Sequence, residues 1–282
     1  MNKRIRNLAI IIAAAAAALA LLLVITGAFV PGNGPKYSVT SVTAAETPLT
    51  GRTIYWLGSS VTLGMESRDE AVADFIAARN GASCLKEAVS GTTLIDEPYV
   101  KYLVFSYDSY VTRLKNSTVF DKSAKVDAFV CQISTNDAKA ENVPKWGSLT
   151  GPEVTDKDAF DVKTTLGAME YVVAYVSETW GCPIYFYSGA HFDDEGPRGS
   201  KNPTGTDYGK LVAQVKALAE KWNKVPGVKV YVIDLFNDAE FNNITDAQYK
   251  LYMHDAVHPL RAGYLEWWTP RFERFFTETL AQ

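Results

Sequence analysis

The sequence predicts an α/β protein built on a single doubly wound parallel sheet with helices on both faces. Two observations carry this reading. Short runs that are apolar throughout, instead of alternating, recur along residues 51–282, as strands covered on both faces do. Segments with helix-period apolar residues stand between and after them, the order that builds parallel βαβ units. The chain has 282 residues, 47% hydrophobic and 21% charged, enough for one large core and unlike a disordered, collagenous or coiled-coil sequence.

The elements follow in chain order. Thr53–Leu57 is an apolar run closed by Gly58, the mark of a buried strand, and Glu66–Arg79 carries Ala71, Val72, Phe75 and Ile76 at helical spacing with charges between. Ser83–Val89 reads as a second buried strand and Ser106–Lys115 as a helix. Val126–Ile133, Pro183–Ser188 and Val228–Ile233 read as three more strands. Helices are expected over Thr164–Thr179 and Thr206–Asn223, and over Arg261–Leu280 with a kink at Pro270. Two long connections, Asp137–Val162 with Trp146 and Gly189–Gly205 with Asp193, Asp194 and Glu195, leave the carboxyl ends of the third and fourth strands. Loops of that length in a compact domain are usually functional or mobile, and α/β ligand sites form at that edge.

Residues 1–30 stand apart from this pattern. Lys3, Arg4 and Arg6 precede an apolar run of 23 residues, Leu8 to Val30, interrupted only by Thr26 and Gly27. A basic start followed by apolar sequence is an export signal. The run exceeds the roughly 7–15 residues of a cleaved signal peptide and matches the roughly 20 that cross a bilayer as a helix. The expectation is an uncleaved anchor with the rest of the chain outside the cytoplasm. Cleavage after Ala44, with Val42 and Ala44 as the small residues, is the secreted alternative. Residues 31–50, rich in Pro, Gly, Ser and Thr and without apolar periodicity, read as a linker, and residues 51–282 as the domain. A net charge of −4, with three of the 28 basic residues in that first segment, leaves no basic face, so nucleic acid is not an expected partner. Cys84, Cys131 and Cys182 cannot all pair and lack metal-ribbon or redox spacing, so they read as small buried residues.

Four short segments carry candidate chemistry. Gly58-Ser59-Ser60 sits where an apolar strand stops, which puts a hydroxyl at the carboxyl edge of the sheet. Thr62 stands where the second Gly of an α/β-hydrolase elbow would be, so that motif is not supported. In His254-Asp255-Ala256-Val257-His258-Pro259, a carboxylate three residues before a histidine can reach its Nδ1–H in one turn of chain and leave Nε2 free to take a serine proton. Ser90-Gly91-Thr92-Thr93 follows the second strand and Ser134-Thr135-Asn136-Asp137 the third, each placing polar groups at the same edge.

Together these blocks resemble the SGNH hydrolases, the GDSL-type esterases and lipases, in the family's order and over roughly the whole body. That family carries Gly-Asp-Ser after strand one, Gly after strand two, Gly-x-Asn-Asp after strand three and Asp-x-x-His near the C-terminus. The matching segments are Gly58-Ser59-Ser60, Gly91, Ser134-Thr135-Asn136-Asp137 and Asp255-Ala256-Val257-His258. The resemblance implies a flavodoxin-like sheet and an extracytoplasmic serine esterase acting on carboxylic esters through an acyl-enzyme without a cofactor. By it Ser60 is the nucleophile, His258 the general base and then acid, and Asp255 the residue that orients His258. The backbone N–H groups of Ser60 and Gly91 and the amide of Asn136 would hold the oxyanion. Ser59 replaces the usual Asp, and Ser134 the usual Gly of the third block, which demands a loop that tolerates a β-carbon.

The expected substrate is a small acyl ester, an O-acetyl group on a polysaccharide being favoured over a lipid ester or lysophospholipid, because no long apolar lining is evident. Two other readings compete. His254 and His258 look like the His-Glu-x-x-His of zinc hydrolases, but that motif needs both imidazoles on one helical face, and Pro259 pushes His258 out of helical geometry. A non-catalytic surface module with the same fold could bind glycans through Trp146, Tyr99 and Tyr102. Ser83-Cys84-Leu85-Lys86 fits a penicillin-binding Ser-x-x-Lys by chance, without its companion motif.

Overall fold

The computed structural model describes residues 12, 14–18, 30–101 and 105–280. The apolar run expected as an anchor, apart from helical residues at 12 and 14–18 and Val30 at its end, lies outside the described residues, as does Tyr102. Among the described residues no helix is long and apolar enough to cross a membrane.

Five parallel strands make the central sheet: β1 (Thr53–Gly58), β2 (Ser83–Ala88), β5 (Ala128–Gln132), β6 (Ile184–Tyr187) and β7 (Val230–Ile233), in the order β2-β1-β5-β6-β7. This is the doubly wound order, which reverses between β1 and β5 and opens a crevice there at the carboxyl edge. Within β1 and β5, alternate side chains enter opposite layers. Tyr55, Leu57, Phe129 and Cys131 face the layer of α3 (Tyr110–Asn116), α4 (Thr165–Thr179) and α5 (Gly205–Trp222). Ile54, Trp56, Ala128 and Val130 face α2 (Val72–Asn80) and α9 (Thr269–Leu280), where Trp56 packs 5.7 Å from Phe272 and 6.0 Å from Phe276. The unbroken apolar runs of the sequence arise because both faces are covered.

Several elements depart from the sequence reading. The first helix is split: α1 (Ser60–Leu63) follows β1 directly, and the left-handed residues Gly64, Arg68 and Asp69 separate it from α2. β2 is an edge strand and is only partly buried, because β1 alone flanks it. Its Lys86 binds the carbonyls of Leu63 and Asp69 and the Asp74 carboxylate, which gives the Ser-x-x-Lys match a purely structural setting. The start of the expected helix 106–115 is instead a small antiparallel hairpin, β3 (Tyr99–Lys101) and β4 (Phe105–Tyr107), before α3 begins at its Ser109 cap. Ahead of Pro270 the chain widens into a π-turn at Tyr264–Trp268, the kind of departure that accompanies a break in the helical hydrogen-bond ladder. Three further short α-helices are α6 (Ala239–Asn242), α7 (Asp246–Tyr252) and α8 (Arg261–Gly263).

The segment expected as a linker is a correction. Residues 31–41 form three 3-10 turns laid against the body, with Asn33, Tyr37 and Ser38 buried. Asn33 accepts from the Arg261 backbone N–H and donates to the Glu66 carbonyl, while Glu70 accepts from Ser38 and Val39. Composition rich in Pro and Gly signalled irregular backbone, and irregular backbone is not necessarily free backbone when its polar groups find partners. The three cysteines are unpaired; Cys131 and Cys182 are buried and Cys84 partly so, and burial raises the Cys84 and Cys182 thiols to about 12.

Candidate active site

Ser60 is the first residue of α1, placed by an abrupt turn at the end of β1. A β-carbon on Gly58 would fall 1.7 Å from the Thr62 hydroxyl, so the close return of α1 over the strand end requires glycine there. The turn is pinned from below by Gln132, the last residue of β5. Its side-chain oxygen accepts from the Ser59 N–H at 3.0 Å, the Thr62 N–H at 3.1 Å and the Thr62 hydroxyl at 2.8 Å. Thr62 and the buried Tyr187 hydroxyl lie 2.6 Å apart. Arg113, also buried, donates to the carbonyls of Gly58 and Glu87 and to the Thr92 hydroxyl, joining the ends of β1 and β2.

The C-terminal block reaches this turn from 198 residues away. His258 Nε2 lies 2.9 Å from the Ser60 hydroxyl oxygen, and its Nδ1 lies 2.8 and 3.0 Å from the two oxygens of Asp255. With a carboxylate on Nδ1, the proton sits there and Nε2 is left to accept from the serine hydroxyl. Asp255 also accepts from the backbone N–H groups of Val257 and His258, both at 2.8 Å. Partial burial pushes its carboxyl up, but the His258 hydrogen bond and charge and those two N–H donors outweigh it and hold the group at about 2. Asp255 therefore stays ionised throughout the range in which an imidazole titrates.

This carboxylate also has a consequence for folding. A pKa lowered in the fold from the ordinary value near 3.9 contributes stability that is present above about pH 4 and is lost as pH falls towards 2. Denaturant unfolding of Asp255→Asn beside the parent chain should show a stability deficit at neutral pH that closes between about pH 4 and 2. A deficit of equal size at both ends would mean that Asp255 supports the fold by shape alone. Its side chain is 48% exposed, so the deficit will be modest.

Asn136 and Gly91 complete the predicted set to different degrees. Asn136 lines the same cavity as Ser60 and His258, and its side-chain amide donates one bond, at 3.1 Å, to the Thr92 carbonyl. Ser134, where a glycine was expected, donates to the same carbonyl at 3.2 Å and accepts from the Asn136 N–H at 3.1 Å. Its hydroxyl thus fastens the third block to the second, and the β-carbon is accommodated. Asp137, fully buried, accepts from the Leu94 N–H and the Thr165 hydroxyl, and burial raises it to about 6. Gly91 adopts φ +85°, and a β-carbon there would meet the Tyr99 ring at 2.5 Å. It stands at the end of β2 beside β1 but is not among the residues that line the cavity.

That cavity, about 340 Å³, is bounded by Ser60, His258, Thr135, Asn136, Lys139 and the loop residues Gly199, Ser200, Asn202 and Pro203. Both long connections singled out in the sequence supply walls, as their position at the carboxyl edge implied. Gln132, Thr62, Arg113 and Tyr187 were not anticipated. Gln132 left one usable signal, a polar residue closing the otherwise apolar run Ala128–Gln132; Arg113 left none, since a cation on an amphipathic helix ordinarily faces water.

The rival readings fare differently in this geometry. Residues 253–259 are irregular and closed by a Met253–Pro259 bridge, so His254 and His258 do not share a helical face. His258 meets Ser60, while His254 lies 3.6 Å from Glu66. Trp146 packs against the core and donates its ring N–H to the Asp137 carbonyl, and Tyr99 stacks on Tyr107, so neither is presented as a free platform.

No family model matches the chain, and no curated protein matches it. Solved structures do. A protein from Lactobacillus plantarum is 20% identical with a TM-score of 0.56, over 82% of this chain and 98% of that one. A carbohydrate acetylesterase family member from Sinorhizobium meliloti is 16% identical with a TM-score of 0.53, over 82% and 100%. A possible lipase from Chitinophaga pinensis is 12% identical with a TM-score of 0.51, over 80% and 98%. This chain shares their doubly wound sheet; on it three of the four blocks follow strand ends, and the fourth, between α7 and α8, meets the first through His258 and Ser60. The likeness to these structures is one of fold.

Proposed function

We propose that the chain is a serine esterase that hydrolyses small acyl esters, held outside the cytoplasm by its N-terminal apolar segment. The observation that carries the reading is the unbroken hydrogen-bonded series Ser60–His258–Asp255, assembled from segments 198 residues apart. A serine hydroxyl is a poor nucleophile near neutral pH until a base takes its proton. His258 Nε2 is within reach to do so as the Ser60 oxygen attacks the ester carbonyl, with Asp255 stabilising the imidazolium. The tetrahedral oxyanion would draw on the N–H of Ser60, the N–H of Gly91 and the second amide N–H of Asn136, each such donor being worth roughly 3–4 kcal/mol. His258 then protonates the departing alcohol, and water, activated by the same imidazole, releases the acid from the acyl-enzyme. None of these steps calls on a cofactor.

The acyl group is read from the walls. Thr135, Lys139, Ser200 and Asn202 are polar, and only Pro203, Ala256 and Val257 are apolar, so a fatty chain would find few apolar partners while an acetyl group needs few. A fold neighbour named a carbohydrate acetylesterase supports an O-acetylated carbohydrate as the alcohol side. The purified chain should hydrolyse nitrophenyl acetate with a higher kcat/KM than the octanoate or palmitate ester. Faster turnover of the long chains would transfer the assignment to lipid esters; no turnover and no labelling by a fluorophosphonate would leave a binding module on the same fold.

A further inference from the structure

The segment between the apolar run and the domain is built as a rigid joint, and the place where it joins is the catalytic edge. Its partners are Leu251 and Leu260, against which Gly32 lies too closely for any β-carbon, and Arg261, Glu66 and Glu70. Arg261 is itself held by Glu70. Tyr37 completes a small core with Tyr252, Met253 and Ala262. These residues enclose the catalytic segment in sequence: Met253 and Pro259 bridge across it, and the Glu66 carboxylate touches His254, the neighbour of Asp255. Only Pro31 and Gly32 separate the fixed Asn33 from Val30, the last of the apolar run, a reach of about 10 Å at full extension. A flexible tether of the expected kind would have allowed any orientation; this joint does not.

Exposed apolar side chains follow from the joint along the same edge. Glu66, which holds Asn33, is preceded by Met65, 40% exposed, whose sulfur accepts from Ser90. Ser90 adjoins Gly91, whose open side is covered by Tyr99 of the β3–β4 hairpin, and that hairpin exposes Val100 at 52% and Phe105 at 56%. Lys36, over the Tyr37 ring in the joint, and Arg68, three residues after Met65, are exposed, the charge that anionic headgroups attract. Scattered apolar residues need no explanation, but here they lie on the edge where a membrane-bound segment must leave the fold.

We propose that the joint holds the catalytic edge against the bilayer surface, with Met65, Val100 and Phe105 in contact with the lipid interface, so that the esters it reaches are those carried at the membrane surface. The inference rests on the anchor reading given above and concerns where the site is held, whichever acyl group it removes. The joint also opposes cleavage after Ala44, since that would strip Asn33 and Tyr37 from the body and leave the Arg261 and Tyr252 surfaces uncovered.

The test uses the full chain reconstituted in vesicles of mixed anionic and zwitterionic phospholipid that contain a diazirine lipid, with carbene adducts mapped by mass spectrometry. Adducts should concentrate on the peptides that carry Met65 and Phe105 and be scarce around Glu220, at the opposite edge of the sheet. A Gly/Ser insert of about twenty residues between Val30 and Pro31, spanning about 25 Å, should lower the adducts at Met65 and Phe105 several-fold, and Asn33→Ala should lower them in the same direction. Nitrophenyl acetate hydrolysis, followed in the same vesicles, should persist in both variants. A membrane-held full-length chain with equal adducts at both edges, or adducts unchanged by the insert, overturns the inference alone. A soluble chain beginning at residue 45 in the native host overturns the anchor with it. Loss of esterase activity from the parent chain would instead count against the assigned reaction and leave the adduct pattern to be judged separately.

Discussion

Replacing Ser60 by Ala is expected to lower kcat by on the order of 10⁵–10⁶ while leaving the fold intact. In the proposed mechanism the hydroxyl oxygen becomes part of the acyl ester, and without it no covalent intermediate would form; the remaining donors and the cavity would only assist attack by water. The fold should survive because, among the described residues, the Ser60 side chain bonds His258 alone, and it stands at the first position of a short helix, where Ala is tolerated. Unfolding free energy should therefore change by less than about 1 kcal/mol. A fluorophosphonate should label the parent chain and not the variant. Retained labelling, or a loss of activity of tenfold or less, would place the nucleophile elsewhere.

The second large effect separates the two histidines of one segment. His258→Ala should cost on the order of 10⁵ or more in kcat, because His258 is the group within 2.9 Å of the serine oxygen and the one that Asp255 orients. His254→Ala should cost little, since that ring lies against Glu66 and contributes to the surface beside the cavity. Activity should persist through prolonged dialysis against EDTA. A zinc centre built from the same segment predicts the reverse: both histidines equally necessary, and turnover abolished by the chelator. Equal losses at the two positions together with chelator sensitivity would sink the serine mechanism. Asp255→Asn belongs with the severe variant, because an amide in place of the carboxylate can hold the imidazole in the wrong tautomer.

The sequence by itself determined the sheet and the order of the chemical blocks. Runs such as Ala128–Gln132 are apolar at every position, and that is a local record of burial on two faces, legible without knowing what covers them. Likewise Gly58, Gly91, Asn136 and His258 each follow a strand or precede a helix, and a parallel sheet sends all such ends to one edge. What only the tertiary structure decided is every relation that spans the chain. The 2.9 Å contact of His258 with Ser60 and the three bonds that Gln132 accepts from the Ser59–Thr62 turn join residues about 70 to 200 positions apart, and no local period encodes a register of that length. The same holds for β2, whose edge position depends on a strand order that its own residues do not state, and for residues 31–41. Their composition announced irregular backbone correctly, but whether such backbone drifts or packs depends on whether distant groups, here the Arg261 N–H and the Glu66 carbonyl, are placed to satisfy it.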